Sequence, residues 1–195
     1  MRVVVLSPYA ERLAPAFASA GDEWVTLPDL RDDADFIVSF GHRKIIREPH
    51  IGRFAGRMIN LHISWLPCNR GADPNFWSWF DRTTKGVTLH QIDAGIDTGP
   101  IHCRYQPHFD ENETLATSYA KLMDGAVRLF LAAWPHLRIG AIEATPQPSA
   151  QASCHDSRDK EPLWARLPLG YDTPVSEIEA LGDEVRASTA FWERA

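Results

Sequence analysis

Blocks of apolar residues alternate with mixed ones along the chain, and their spacing predicts short strands separated by helices. Arg2 to Ser7 (RVVVLS) is a β-branched run suited to a strand buried on both faces. Glu11 to Ala20 reads as a helix ended by Gly21, Glu23 to Leu27 (EWVTL) as a second strand, and Ala34 to Phe40 (ADFIVSF) as a third, stopped by Gly41. A short helix around Ile51 to Phe54 precedes a fourth strand, Met58 to Ser64 (MINLHIS). Pro74 to Asp81 is an aromatic-rich helix, read as core and not as a substrate platform. Gly86 to Ile92 (GVTLHQI) and Pro100 to Gln106 (PIHCRYQ) alternate more strongly, as an antiparallel or edge pair does. Leu115, Tyr119, Leu122, Ala126, Leu129 and Ala133 recur at helical spacing. That helix is expected to open on an Asp110/Glu113 capping box and to end before Pro135. Gln147 to Ser153 resembles a linker, and Thr173-Pro174 opens a last helix with Pro at its first position and Ile178, Leu181 and Val185 on one face.

Strands alternating with helices predict an α/β protein with a Rossmann-like sheet, parallel at first and mixed later. In open sheets of this kind ligands bind beyond the carboxyl ends of the strands.

Composition narrows the class. The 195 residues are 44% hydrophobic and 24% charged, with net charge −6 and no basic run, which argues against an electrostatic grip on nucleic acid. Cys68, Cys103 and Cys154 are widely spaced, so neither a disulfide framework nor a zinc finger is expected. The apolar run near Met1 is short for a signal peptide, and no run reaches transmembrane length. The expectation is a soluble cytoplasmic protein that does not bind membranes.

The chemistry concentrates in INLHISWLPCNRGADP, residues 59–74. Asn60 and His62 stand two apart on the fourth strand, so both point to one face near its carboxyl end. An isolated pair of this kind is ordinarily satisfied by loop backbone. Downstream, DAGIDTG supplies Asp93 and Asp97 in a turn, where an Asx role is the plain reading of both. His90, His102 and His108 have no metal-ligand spacing and read as surface or cross-strand residues, so no metal is expected.

Taken together, NLHISWLPCNRGADP, GVTLHQIDAGIDTGPI and the upstream SFGHRKII resemble the formyltransferases that use N10-formyltetrahydrofolate, over about residues 34 to 106. The resemblance implies a catalytic domain over residues 1–144, with 145–195 as an extension packed on it, and a catalytic trio of Asn60, His62 and Asp97. The carboxylate directly before Thr-Gly is the family's catalytic one, which selects Asp97 over Asp93. The physical roles follow. Formyl transfer to an amine develops an oxyanion, to which the Asn60 amide and a protonated His62 can donate. A neighbouring Asp97 favours the charged imidazole and helps move the proton. The resemblance also implies a folate pocket walled by His42, Arg43, Lys44, Ile45 and Ile46 and by Ile92, Asp93, Ala94, Gly95 and Ile96. The loop with Trp65, Pro67, Arg70 and Gly71 would face the substrate, Arg70 either bracing the loop through a carboxylate or touching an acidic acceptor.

Among such enzymes, the glycinamide ribonucleotide branch carries a glycine-rich phosphate loop where this chain has LSPYAERL, and the methionyl-tRNA branch adds a basic domain for which this chain has no room. RGADPNFWSWF and CHDSRDKEPLW are similar to small amino-sugar formyltransferases and to formylation domains of nonribosomal peptide synthetases. The acceptor is then a nucleotide-linked amino sugar, which a free-standing chain favours, or an aminoacyl group on a carrier protein. A formyltetrahydrofolate hydrolase and a non-catalytic folate binder stay as alternatives, and an exposed aromatic stripe could support a homo-oligomer.

Overall fold

A computed structural model describes residues 1–26 and 33–192. Among the described residues, eight strands and six α-helices follow one another in the order β1 (Arg2–Leu6), α1 (Ala14–Ala20), β2 (Glu23–Thr26), β3 (Phe36–Phe40), α2 (His50–Arg53), β4 (Met58–His62), β5 (Arg70–Gly71), α3 (Pro74–Phe80), β6 (Val87–Gln91), β7 (Ile101–Tyr105), α4 (Leu115–Leu137), β8 (Cys154–His155), α5 (Glu161–Trp164) and α6 (Val175–Trp192). The six-stranded main sheet runs β2-β1-β3-β4-β6-β7. Its first four strands are parallel, and β6 and β7 are antiparallel to their neighbours, which is the mixed Rossmann-like sheet the sequence predicts. Leu27, the expected last residue of β2, lies outside the described residues.

The β-branched centre of β1 is buried on both sides, as its composition requires. Val3, Val5, Phe36 and Val38 face a core closed by Phe17 of α1 and by Phe130 and Trp134 of α4, while Val4, Leu6, Ile37 and Met58 face Phe54 on the other side. A third cluster joins α3 to α6 through Phe76, Phe80, Ile178 and Leu181. The two helices approach so closely that a Cβ on Gly182 would stand 2.1 Å from the Phe80 carbonyl oxygen. Trp77 and Trp79 are core residues of α3. No described helix is long and apolar enough to cross a membrane.

Several expected boundaries move, each for a local reason. The first helix splits into a 3₁₀ turn over Ala10–Arg12 and α1, because Pro15 has no N–H and fits only where a new helix begins. The cap of α4 is Thr114, not Asp110: the Thr114 hydroxyl accepts from Thr117 N–H at 3.2 Å, and the Thr117 hydroxyl accepts from Thr114 N–H at 2.9 Å. Glu113 does accept from the Asp110 N–H at 3.2 Å, the back-contact of the expected box, but that pair precedes the helix, and Glu113 is also engaged by the Thr117 hydroxyl and Lys121. Pro135 sits inside α4, which continues to Leu137. Burial of Trp134 and Leu137 on either side of it outweighs the ~3 kcal/mol an interior proline costs. Pro174 precedes α6 instead of opening it, and Val175 N–H donates to the Glu113 carbonyl at 2.9 Å, tying the starts of α4 and α6 together.

Asp22 closes the main core from its far end. Its side chain is wholly buried and accepts from Trp134 Nε1 at 2.9 Å, from Arg138 Nε at 2.9 Å and from Arg138 Nη2 at 2.6 Å. Burial works to raise its pKa, but the bonds from Arg138, the chain's amino group and Trp134 outweigh it and hold the carboxyl below its ordinary range. As the pH falls the unfolded chain is protonated first, so this group's contribution is complete above ~pH 5 and is lost on acidification through the folded pKa. Asp22→Ala, which leaves Arg138 and the indole N–H without their acceptor, is expected to cost ~3 kcal/mol. Urea unfolding at neutral pH should show the loss and, repeated at pH 4, a smaller difference from wild type; equal differences at both pH values would refute the linkage.

Candidate active site

Strand β4 ends in the middle of the sheet, between β3 and β6, so its last side chains open into the crevice at the carboxyl ends of the parallel strands. Asn60 pairs in register with Ser39 on β3 and with His90 on β6. His62, two residues on, is 8% exposed; its Nε2 donates to the Asn69 carbonyl at 3.0 Å, which leaves Nδ1 facing Asp97 Oδ2 at 3.5 Å. Asn69 is itself fully buried, held by Ser153 and Thr83, so the imidazole rests on a fixed support.

Asp97 is delivered by the turn after β6. Asp93 Oδ1 accepts from Gly95 N–H at 3.1 Å and from the Thr98 hydroxyl at 2.6 Å, closing an Asx turn. Gly99 lies against β6 so tightly that a Cβ there would stand 1.9 Å from the Gln91 carbonyl oxygen. Asp97 adopts φ 51°, a left-handed conformation costing of order 1 kcal/mol, and thereby turns its carboxylate inward. Oδ1 accepts from Asn60 Nδ2 at 3.1 Å and lies 3.4 Å from His90 Nε2; Oδ2 accepts from Gly71 N–H at 3.0 Å. Burial pushes the Asp97 pKa upward, but the His62 charge, the His90 bond and charge and the Gly71 N–H together carry it far below the usual carboxylate range.

The structure therefore brings Asn60, His62 and Asp97 together and adds a residue that the sequence reading placed at a surface or cross-strand position. His90 is only 2% exposed. Its Nδ1 donates to the Gln91 carbonyl at 2.7 Å, so Nε2 alone is free to accept from Asn60 Nδ2 at 3.3 Å or, when protonated, to donate to Asp97. Of the other histidines, His102 bonds the Ile142 carbonyl and His108 is exposed beside Asp110. Among the described residues, no three His, Cys, Asp or Glu side chains are grouped to hold a metal.

Two cavities meet at this centre and share Asn60, Gly71, Asp73 and Asp97, together with His42, Arg43 and Lys44, as lining residues. The smaller, about 690 Å³, is lined by His42, Arg43, Lys44, Ile45 and Ile46 from one side and by Ile92, Asp93, Gly95 and Ile96 from the other. Ile45 and Ile96 stand 64% and 53% exposed at its walls. Ala94 is at the exposed tip of the turn and does not line it. The larger, about 950 Å³, runs from Asn60 and His62 past Asp73 and Pro74 to Ser7, Tyr9, Phe40, Tyr119 and Met123. The sequence reading named none of these wall residues beyond the strand, because they converge from β1, β3 and α4, far apart in the chain.

The loop residues separate. Gly71 lines both cavities with φ 84°, and a Cβ there would meet the His155 carbonyl oxygen at 2.4 Å. Trp65 and Pro67, expected to face the substrate, line neither: the Trp65 ring lies under Arg104 and against Gly86, and the Pro67 carbonyl accepts from Ser153 N–H. Arg70 also lies outside the linings. Its partner is the Gln147 amide, not a carboxylate, with Nε and Nη2 donating to Oε1 at 3.1 and 2.6 Å. Gln147 Nε2 in turn donates at 2.8 Å to both the Asp97 and Gly99 carbonyls. The stretch that resembles a linker thus clamps the two loops of the site together, and β8 just beyond it pairs with β5.

A buried carboxylate fed by an amide and two imidazoles, open to one cavity on each side, defines a site for passing a small group between two bound molecules. Residues 27–134 match the family model described as formyl transferase, and the chain belongs to that family; it is a formyltransferase. Among solved structures it is similar to the formyltransferase PseJ from Anoxybacillus kamchatkensis, with 40% identity and a TM-score of 0.86 over 91% of this chain and 97% of that one. That protein was crystallised with UDP-4,6-dideoxy-4-formamido-L-AltNAc and tetrahydrofolate. A 4-N formyltransferase from Francisella tularensis (17% identity, TM-score 0.72, 93% and 85% coverage) and an N-formyltransferase from Helicobacter canadensis (17%, 0.67, 81% and 71%) share the fold.

If Gln147 holds the Asp97 loop to the Arg70 loop, the two side chains act as a unit. Arg70→Ala and Gln147→Ala are each expected to lower kcat ~10-fold through misplacement of Asp97. The double variant should be little worse than either alone. An Arg70→Ala enzyme with unchanged kcat and a raised acceptor KM would replace the brace with a direct acceptor contact.

Proposed function

We propose that the chain transfers the formyl group of N10-formyltetrahydrofolate to the primary amine of a nucleotide-linked amino sugar. The carrying observation is the pair of cavities that meet at Asn60 and Asp97. The smaller has the two apolar-edged walls expected for a flat pterin, and the larger is left for the acceptor. Similarity over nearly the whole length to a protein crystallised with a UDP-linked formamido sugar favours a nucleotide sugar over an aminoacyl group on a carrier protein.

In this reading the reacting carbon sits between Asn60 and His62. The Asn60 amide is turned toward the crevice by the bond to Asp97; when His90 is protonated and donates to Asp97 instead of accepting from Asn60, the second amide N–H is released and donates to the formyl oxygen as negative charge develops there. His62, fixed by the Asn69 carbonyl through Nε2, presents Nδ1 to the same region. Asp97 receives the proton released by the attacking amine, directly or through His62; as the tetrahedral adduct collapses the carbon–N10 bond breaks, the proton passes to N10 and tetrahydrofolate leaves, and the 3.5 Å separation of Asp97 from Nδ1 leaves the proton path to the geometry of the bound complex. His90 and the Gly71 N–H keep the carboxylate aimed throughout.

Asp97→Asn preserves shape and removes charge, and His62→Ala removes the imidazole. Each is expected to lower kcat by ~100- to 1,000-fold while tetrahydrofolate still binds. Stopped assays that follow tetrahydrofolate release with and without an amino-sugar nucleotide test both the transfer and the roles. Wild-type turnover by Asp97→Asn would remove that residue from the mechanism, and release at equal rate without any amine would make the enzyme a hydrolase.

A further inference from the structure

The larger cavity carries a cluster that the transfer chemistry does not use. Tyr9 follows β1, and its ring packs on Phe40 with centroids 5.5 Å apart and over Gly41, where a Cβ would stand 3.0 Å from the ring. Its hydroxyl lies 3.4 Å from that of Tyr119 on α4. Two hydroxyls that bond one another use one proton between them, so one O–H remains to donate. Arg43, exposed at the rim, lines this cavity as well as the smaller one.

The charges around the cluster are arranged so that an anion can approach. Among the described residues, the two carboxylates lining the larger cavity are both engaged: Asp97 by its imidazole and amide partners, Asp73 by Lys160. Arg12, nearby in sequence, is taken up by Asp124 at 2.6 Å. Tyr119 has its pKa pushed up to about 12, chiefly by burial and then by the Tyr9 hydroxyl, with Arg43 opposing. The hydroxyl thus stays a donor at neutral pH, and Tyr119 and Arg43 line the same cavity. After β1 the chain has Ser7-Pro8-Tyr9 and no glycine-rich turn, so a phosphate there must be met by side chains and not by a backbone cradle.

We propose that Arg43 and the paired hydroxyls of Tyr9 and Tyr119 bind the diphosphate of the acceptor, making this cluster the feature that selects a nucleotide-linked amine over the free sugar. The inference rests on the function proposed above and deepens it. A planar guanidinium suits two adjacent phosphate oxygens, and the free phenolic O–H supplies a neighbouring donor. The ring of Tyr9, locked between Phe40 and Gly41, holds that donor in place before the ligand arrives.

Calorimetry on the full chain with saturating tetrahydrofolate separates the possibilities. UDP, UMP and uridine serve as probes of wild type, Arg43→Ala, Arg43→Lys and Tyr119→Phe, with thermal melts to confirm folding. Arg43→Ala is expected to weaken UDP by ~10- to 100-fold, the size of a lost charge-assisted contact, and to affect uridine least. Arg43→Lys should fall between, since it keeps charge without the fork, and Tyr119→Phe should lose less than Arg43→Ala. In turnover, the preference for a nucleotide-linked amine over the same amine without phosphate should narrow in Arg43→Ala by the same factor. UDP affinity that ignores Arg43→Ala, or an equal loss for UDP and uridine, would overturn the diphosphate assignment and leave formyl transfer standing. A wild-type enzyme that formylates only amines carrying no nucleotide would overturn the acceptor reading and this inference with it.

Discussion

The site depends on keeping one carboxylate charged in a place where water hardly reaches it. Asp97 retains 15% of its side-chain exposure, and a buried anion persists only when its lone pairs are met by donors. The donors come from three separate parts of the chain: Asn60 and His62 from β4, His90 from β6, the Gly71 N–H from β5. The carboxylate is therefore also a fastener. It joins the sheet's central strand to the loop that leaves it, and any shift in that loop would remove one of the bonds keeping Asp97 ionised. The left-handed backbone at Asp97 is the local cost of this arrangement, offset by the Asx turn before it and by Gln147 across its carbonyl.

This explains which parts of the molecule were legible from sequence. The strands of the parallel half read directly, because burial on both faces demands unbroken β-branched runs such as VVV at 3–5, and the order of strands and helices then limits the topology. Asn60 and His62 were legible as a pair because a strand's period of two is local. Their relation to His90 was not. His90 stands opposite Asn60 only because β4 and β6 pair antiparallel in one register, and a register between strands some thirty positions apart leaves no mark within either segment. A lone histidine in GVTLHQI looks like any alternating strand residue.

Gln147 was hidden for a different reason. A polar residue in a Pro- and Ser-containing stretch carries the composition of a linker, and its four contacts, two to Arg70 and two to backbone carbonyls, exist only after the chain has returned past the sheet. The end of α4 shows the converse. Pro135 is a strong local stop signal, yet the helix runs through it because Trp134 and Leu137 have core positions to fill. Local rules fail in both directions where a long-range contact is worth more than the local preference.

The returning segment also accounts for how so small a sheet presents two separate cavities. Without it the β5 loop would be held at its ends by β4 and α3 and between them by Asn69, bonded to Thr83 and His62, and by the Gly71 N–H on Asp97. Pairing of β8 with β5 gives it a second strand, with Arg70 opposite Cys154 and Gly71 opposite His155, and the His155 ring stacks on Trp77 at 4.0 Å to anchor that strand on the α3 core. Lys160 then reaches back to Asp73, which borders both cavities. The partition between the two cavities is thus a loop stiffened from behind by residues 147–160. Gly71 is at its centre because the backbone must pass against the His155 carbonyl oxygen while turning its N–H to Asp97, and no side chain fits between. A wall between two cavities that meet must end where they join, and this one ends at Asn60 and Asp97, which line both cavities together with Gly71 and Asp73 of the loop.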